Sequence, residues 1–65
     1  MKKIKIKLIL ERGKREIWGR VDFEGDLIIV SGGTEDALKL SIYGQLLFFH
    51  GLDSSQIEFE TSWEN

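Results

Sequence analysis

The sequence predicts an α+β domain: one four-stranded, mostly antiparallel sheet in the order 3-2-1-4, with a single helix packed on one face. Residues 3–10 and 16–23 alternate apolar and polar side chains with a period of two, the mark of half-buried strands. Gly32-Gly33-Thr34 followed by Glu35 and Asp36 opens a stretch of helical spacing, and residues 56–63 return to the period of two. The element order is β-β-β-α-β. With 65 residues, 42% of them hydrophobic and 31% charged, the chain forms one domain, 1–65, and has no room for a second core.

In the first strand, KIKIKLIL, Ile4, Ile6, Leu8 and Leu10 share one face, opposite Lys3, Lys5, Lys7 and Ile9. Gly13-Lys14 is expected to take the positive φ of a tight primed turn and fold the chain back as a hairpin. The returning run EIWGRVDF sets Ile17, Gly19, Val21 and Phe23 against Glu16, Trp18, Arg20 and Asp22. Glu24-Gly25-Asp26 is a second turn signal. The third strand, Leu27-Ile28-Ile29-Val30, is too apolar to leave one face in water, so it is either covered twice or an edge meant for a partner. Thr34 caps a helix over residues 35–50, Glu35 and Asp36 sit at the positive end of its dipole, and Gly51 stops it. The last strand sets Ile57, Phe59, Thr61 and Trp63 against Gln56, Glu58, Glu60 and Ser62.

A helix that crosses back over the sheet lets the fourth strand lie beside the first and parallel to it. Lys3, Lys5 and Lys7 then stand between Asp22 and Glu24 on one side and Glu58 and Glu60 on the other, as cross-strand pairs. The helix carries two apolar stripes. Ala37, Leu40, Tyr43, Gly44, Leu47 and Phe48 are assigned to the sheet, which leaves Leu38, Ile42, Leu46 and Phe49 facing outward as an oligomer or partner surface.

A domain near this size buries only about 60% of the surface its unfolded chain exposes. The chain has no cysteine and one histidine, His50, so neither a disulfide nor a structural metal is expected to support it, and association is the remaining support. Nine Lys plus Arg against eleven Asp plus Glu, a net charge of -2, argue against unspecific binding to nucleic acid or to an anionic membrane. Met1-Lys2-Lys3-Ile4 leads into alternation, not into an apolar leader, so a cytoplasmic location is expected. Asp22, Glu24 and Asp26 lack the further ligands a Mg²⁺ shell needs, and His50 lacks a nucleophile or orienting acid. Ser31-Gly32-Gly33-Thr34 lacks the lysine and spacing of a phosphate loop. The expectation is therefore no catalytic residue, no metal and no cofactor. Trp18, on the charged face beside Ile9, is the side chain best suited to anchor an interface.

The start MKKIKIKLILERGKREIWGRV, the turn FEGDLIIVSGGT and the helix opening TEDAL followed by LLFFHGL resemble the N-terminal domain of HicB-family antitoxins. In that family a GDT or GGT turn leads into an EEAL helix, and in some members a strand rich in Glu and aromatics follows, as QIEFETSW does here. The resemblance spans residues 3–63. It implies a partial RNase H-like fold without nuclease activity, which oligomerises and blocks a small basic HicA-type toxin that cleaves mRNA. Family members usually carry a C-terminal DNA-binding segment, whereas this sequence stops at Asn65, so the expectation is either no operator binding or a sequence that is a piece of a longer protein. Many members have a PDLPGC stretch where this chain has Phe23-Glu24-Gly25-Asp26-Leu27.

The expected function is thus a non-enzymatic module that masks the active site of a small basic toxin, with a homo-oligomer also expected. Trp18, Ile28 and Phe49 are its apolar anchors, Glu35 and Asp36 its acidic contacts, and Leu38, Ile42 and Leu46 complete the outward stripe. Two other readings stand beside it. One is a stand-alone binder of single-stranded nucleic acid using Lys3, Lys5, Lys7, Trp18 and Arg20; the other is a mobile-element-encoded inhibitor of a defence protein.

Overall fold

The computed structural model describes residues 2–64; the chain ends, Met1 and Asn65, lie outside the described residues, and with them the reading placed on Asn65. The elements are β1 (Ile4–Arg12), β2 (Ile17–Phe23), β3 (Asp26–Gly32), α1 (Glu35–His50), a 3₁₀ turn (Ser54–Gln56) and β4 (Ile57–Glu64). They form one sheet in the order β3-β2-β1-β4, with β1 antiparallel to β2, β2 antiparallel to β3, and β4 parallel to β1.

Alternation decides the faces. Ile6, Leu8 and Leu10 of β1, Val21 of β2, Ile28 and Val30 of β3 and Ile57 of β4 are buried under the helix. Gly19 sits in the middle of that face: a Cβ there would lie 3.3 Å from side-chain carbons of both Leu8 and Leu38, so the bare backbone lets the start of α1 come down onto β2. Thr34 caps α1, its Oγ1 accepting from the Ala37 N–H at 3.1 Å. Gly51 ends the helix in the left-handed conformation (φ 68°); its N–H donates to the Leu47 carbonyl and the Leu52 N–H to the Leu46 carbonyl. The 3₁₀ turn that follows is absent from the alternation pattern. It is held by Asp53, whose backbone N–H donates to Gln56 Oε1 at 2.9 Å while the Gln56 N–H donates to the Asp53 carbonyl.

Two expectations need correction here. The first hairpin is not closed by a primed turn: Arg12 pairs with Ile17, leaving a four-residue loop in which the Gly13 N–H donates to the Glu16 carbonyl at 2.8 Å. Loops of that length form around ordinary turns, and Gly13 is not among the positive-φ residues. The second hairpin has the primed geometry instead, with Glu24 at φ 51° and Gly25 at φ 80°.

The helix stripes are also reversed. Leu38, Ile42 and Leu46 are fully buried, whereas Leu40, Leu47 and Phe48 of the stripe assigned to the sheet are exposed and Tyr43 stays half-buried on its flank. Tight packing at Gly19 favours flexible aliphatic side chains at the contact, and the bulkier aromatics are displaced to the periphery. Of the two readings of the third strand, covered twice or an edge, the structure has the edge. β3 has Ile28 and Val30 inside and Leu27 and Ile29 on the open face.

The reversal has a direct stability signature. Leu46→Ala is expected to cost about 2–5 kcal/mol of unfolding free energy, and Leu40→Ala less than about 1 kcal/mol. Urea denaturation of the two variants followed by circular dichroism measures the difference, and equal losses would contradict the burial described here.

Candidate functional site

The open face of the sheet is built from the side chains that alternate away from the core. Registers place Ile9 beside Arg20, Arg20 beside Ile29, and Trp18 between Glu11 and Ser31. Ile9, Glu11, Trp18, Gly19, Arg20 and Ile29 line one shallow groove there. Trp18 is 44% exposed, and its indole N–H donates to Glu16 Oε1 at 2.9 Å, which fixes the ring on the face. Arg20 reaches across β1 to Glu64 of β4, with Nη2 and Oε2 3.1 Å apart. The arginine that lines the groove is therefore already paired, and Glu11 and Glu16 remain on the groove's rim.

The expected lysine ladder is present in register but not as contacts. Lys5 stands opposite Glu58 and Lys7 opposite Glu60, yet among the described residues neither lysine approaches a carboxylate within 4.0 Å. Glu24 is drawn away into the positive-φ turn. Exposed pairs of flexible side chains gain too little to hold one geometry.

The predicted site residues do not form a single site. Trp18 lies on the open face. Ile28, Leu38, Ile42 and Leu46 are core residues, so none of the four offers an anchor to a partner. Glu35, Asp36 and Phe49 belong to the helix, on the other side of the sheet. Glu35 is engaged by Lys39 at 3.2 Å, Asp36 is exposed, and Phe49 packs edge-to-face on Phe48 with centroids 4.8 Å apart. Sequence reasoning missed Leu27, Ile29, Leu40, Leu47, Phe48 and Trp63 as exposed apolar side chains. Trp63 was placed inward by alternation. It lies beside buried Leu10 near the end of β4 but stays 46% exposed, with the Arg12 guanidinium 5.3 Å from its ring centroid.

The acidic run at the second hairpin is split by the pleat. Asp22 points to the open face, whereas Asp26 and Glu24 meet His50 at the end of α1: His50 Nε2 lies 3.1 Å from Asp26 Oδ2 and Nδ1 4.0 Å from Glu24 Oε1. The same ring packs edge-to-face on Phe23 at 5.0 Å. These contacts clamp the helix end to the β2–β3 turn. Among the described residues no cluster of three metal-ligating side chains occurs, and no helix is long and apolar enough to cross a membrane.

Comparison of the chain with protein-family models, with curated proteins and with solved structures gives no significant match.

One carboxylate has a displaced acidity. The Ser55 hydroxyl, donating to Asp53 Oδ2 at 2.7 Å, is the main cause that holds the Asp53 carboxyl below its ordinary 3.8, with the Ser54 and Ser55 backbone N–H groups adding to it. A depressed folded value means that this carboxylate favours the folded state above the ordinary value and loses that contribution as pH falls through the folded one. Carboxyl-detected NMR titration should find Asp53 below 3.8, and Ser55→Ala should move it back up. An Asp53 midpoint unchanged by Ser55→Ala would show that the serine is not its cause.

Proposed function

We propose that this chain is a non-enzymatic protein-interaction module of the HicB antitoxin kind, which masks the active site of a small, basic, mRNA-cleaving protein in the cytoplasm. The observation that carries this reading is the Trp18 groove. A tryptophan held by its own hydrogen bond, flanked by Ile9 and Ile29 and rimmed by Glu11 and Glu16, combines an apolar anchor with surrounding negative charge. Buried aromatic anchors dominate protein interfaces, and a carboxylate rim selects a partner rich in Lys and Arg. The β-β-β-α-β order accords with the domain that the HicB resemblance implies.

The same face is less suited to single-stranded nucleic acid. Stacking platforms for such ligands need a positive path along the backbone, and here Arg20 is paired with Glu64 while Lys5 and Lys7, though in no ion pair, have Glu58 and Glu60 as their register neighbours. Partner contact through Trp18 leaves Asp36 and Phe49 on the far side of the domain, free for other contacts.

Native mass spectrometry of the tagged chain, co-expressed with the open reading frames that flank its gene, tests the proposal. A complex with a small basic protein is expected. Trp18→Ala should weaken that complex by at least about 2 kcal/mol, roughly 30-fold in Kd, while leaving the fold intact. Undiminished binding by the folded variant, or no basic protein retained, would overturn it.

A further inference from the structure

β3 is the outer strand of the sheet, and its free edge is bare. The two-residue turn at Glu24-Gly25 makes Phe23 and Asp26 the closing hydrogen-bonded pair. Bonded and open pairs then alternate along the ladder, so the N–H and C=O groups of Leu27, Ile29 and Ser31 point away from β2. None of them has a backbone partner in a turn, loop or cap among the described residues. Edges are normally blunted by charge, proline, a bulge or a cover. The opposite edge, β4, carries Glu58, Glu60 and Glu64. Between Asp26 and Gly32, β3 carries none of these devices, and Leu27 and Ile29 are 58% and 57% exposed.

The helix flank above this edge is bare as well. Ala37 lies against Gly32 of β3, and Tyr43 packs on Phe59 of β4. The flank running from Ala37 through Ser41 to Phe48, at 100° per residue, therefore faces the β3 side. Phe48, which ends it, is 81% exposed. Surface area gives a third observation. The chain exposes 4803 Å², whereas monomeric proteins of 7.5 kDa expose about 4,250 Å². The excess is about 550 Å² per chain, so two chains could remove about 1,100 Å², just above the roughly 1,000 Å² that a biological interface clears and in the range of a weak dimer.

We propose that a second copy of this chain covers the edge, β3 pairing antiparallel with β3 about a twofold axis at Ile29. That register sets Ile29 against its own copy, Leu27 against Ser31, Ile28 against Val30 and Asp26 against Gly32, so no like charges meet. The pairing is self-complementary and supplies partners to the Leu27, Ile29 and Ser31 backbone groups. It sets both helices on one side of a continuous eight-stranded sheet and brings the Phe48 flanks toward each other. The Trp18 grooves remain open on the other side, so this contact does not rest on the toxin-masking reading.

Sedimentation velocity and amide hydrogen exchange on the whole chain test the pairing. The expected result is a mass twice that of the 7.5 kDa chain at submillimolar concentration, with the Leu27, Ile29 and Ser31 amides slowed at least about 100-fold. Ile29→Lys, a charge on the bare edge, should return the mass to one chain and release those three amides, while Ile28 and Val30 stay protected as evidence that the fold persists. Phe48→Asp, on the helix and away from the strand, should weaken self-association at least about tenfold. A single-chain mass at every concentration, freely exchanging edge amides in a dimer, or a dimer that survives both substitutions would overturn the proposal.

Discussion

One helix has to serve a sheet with two faces, and nearly every other feature of the molecule follows from that shortage. α1 lies over β2 and β3, with Leu38 against Gly19 and Gly32 at one end and the His50 ring against Phe23 and Asp26 at the other. Its buried stripe of Leu38, Ile42 and Leu46 closes a core whose other members all come from one side of the pleat. Helix and sheet approach closely because Gly19 puts no side chain between them. The sideways travel from β2 to β4 is left to residues 51–56, which explains why that short stretch is tied by the Asp53–Gln56 exchange and why Leu52 packs on the rim of the core.

The uncovered face is consequently wet, and its composition reflects that. Lysines and glutamates occupy most of it, but Ile9, Trp18, Leu27 and Ile29 interrupt the charge on the half nearest β3. Apolar groups spread singly over a surface need no explanation; a tryptophan with two isoleucines in one groove is a different arrangement. The Arg20–Glu64 pair spans three strands and turns the guanidinium of Arg20 toward β4.

Local signals and the sheet order were legible in the chain, whereas the packing choice between the two helix stripes was not. Thr34 and Gly51 mark the helix ends because capping depends on a few neighbouring backbone groups, and both ends fall where those residues stand. Sheet order was legible too, since a helix between the third and fourth strands constrains where the fourth can lie. Which helix stripe faces the sheet was not legible, because both stripes are apolar and Phe48 and Tyr43 gave the wrong one the larger side chains. The deciding information is the depth available above Gly19, a property of the assembled sheet. Likewise Gly13 and Gly25 both mark turns. Only the pairing of Phe23 with Asp26 makes the second one primed, and only the pairing of Arg12 with Ile17 frees the first from that need.

The two edges of the sheet differ in a way that bears on how association would stop. Three glutamates lie along β4 on the open face, so a further strand added there would have to pack beside their carboxylates and strip water from them. β3 offers an uncharged edge. If copies joined head to tail, β3 of one onto β4 of the next, each junction would leave a new bare β3 and the sheet would grow without limit. A glutamate-lined β4 disfavours that heterologous contact, whereas β3 against β3 consumes both bare edges at once and leaves β4 on either side. One guarded and one unguarded edge therefore suit the proposed closure at two copies, and Leu27, Ile29 and Phe48 are the part of the exposed apolar surface that lies where such closure would use it.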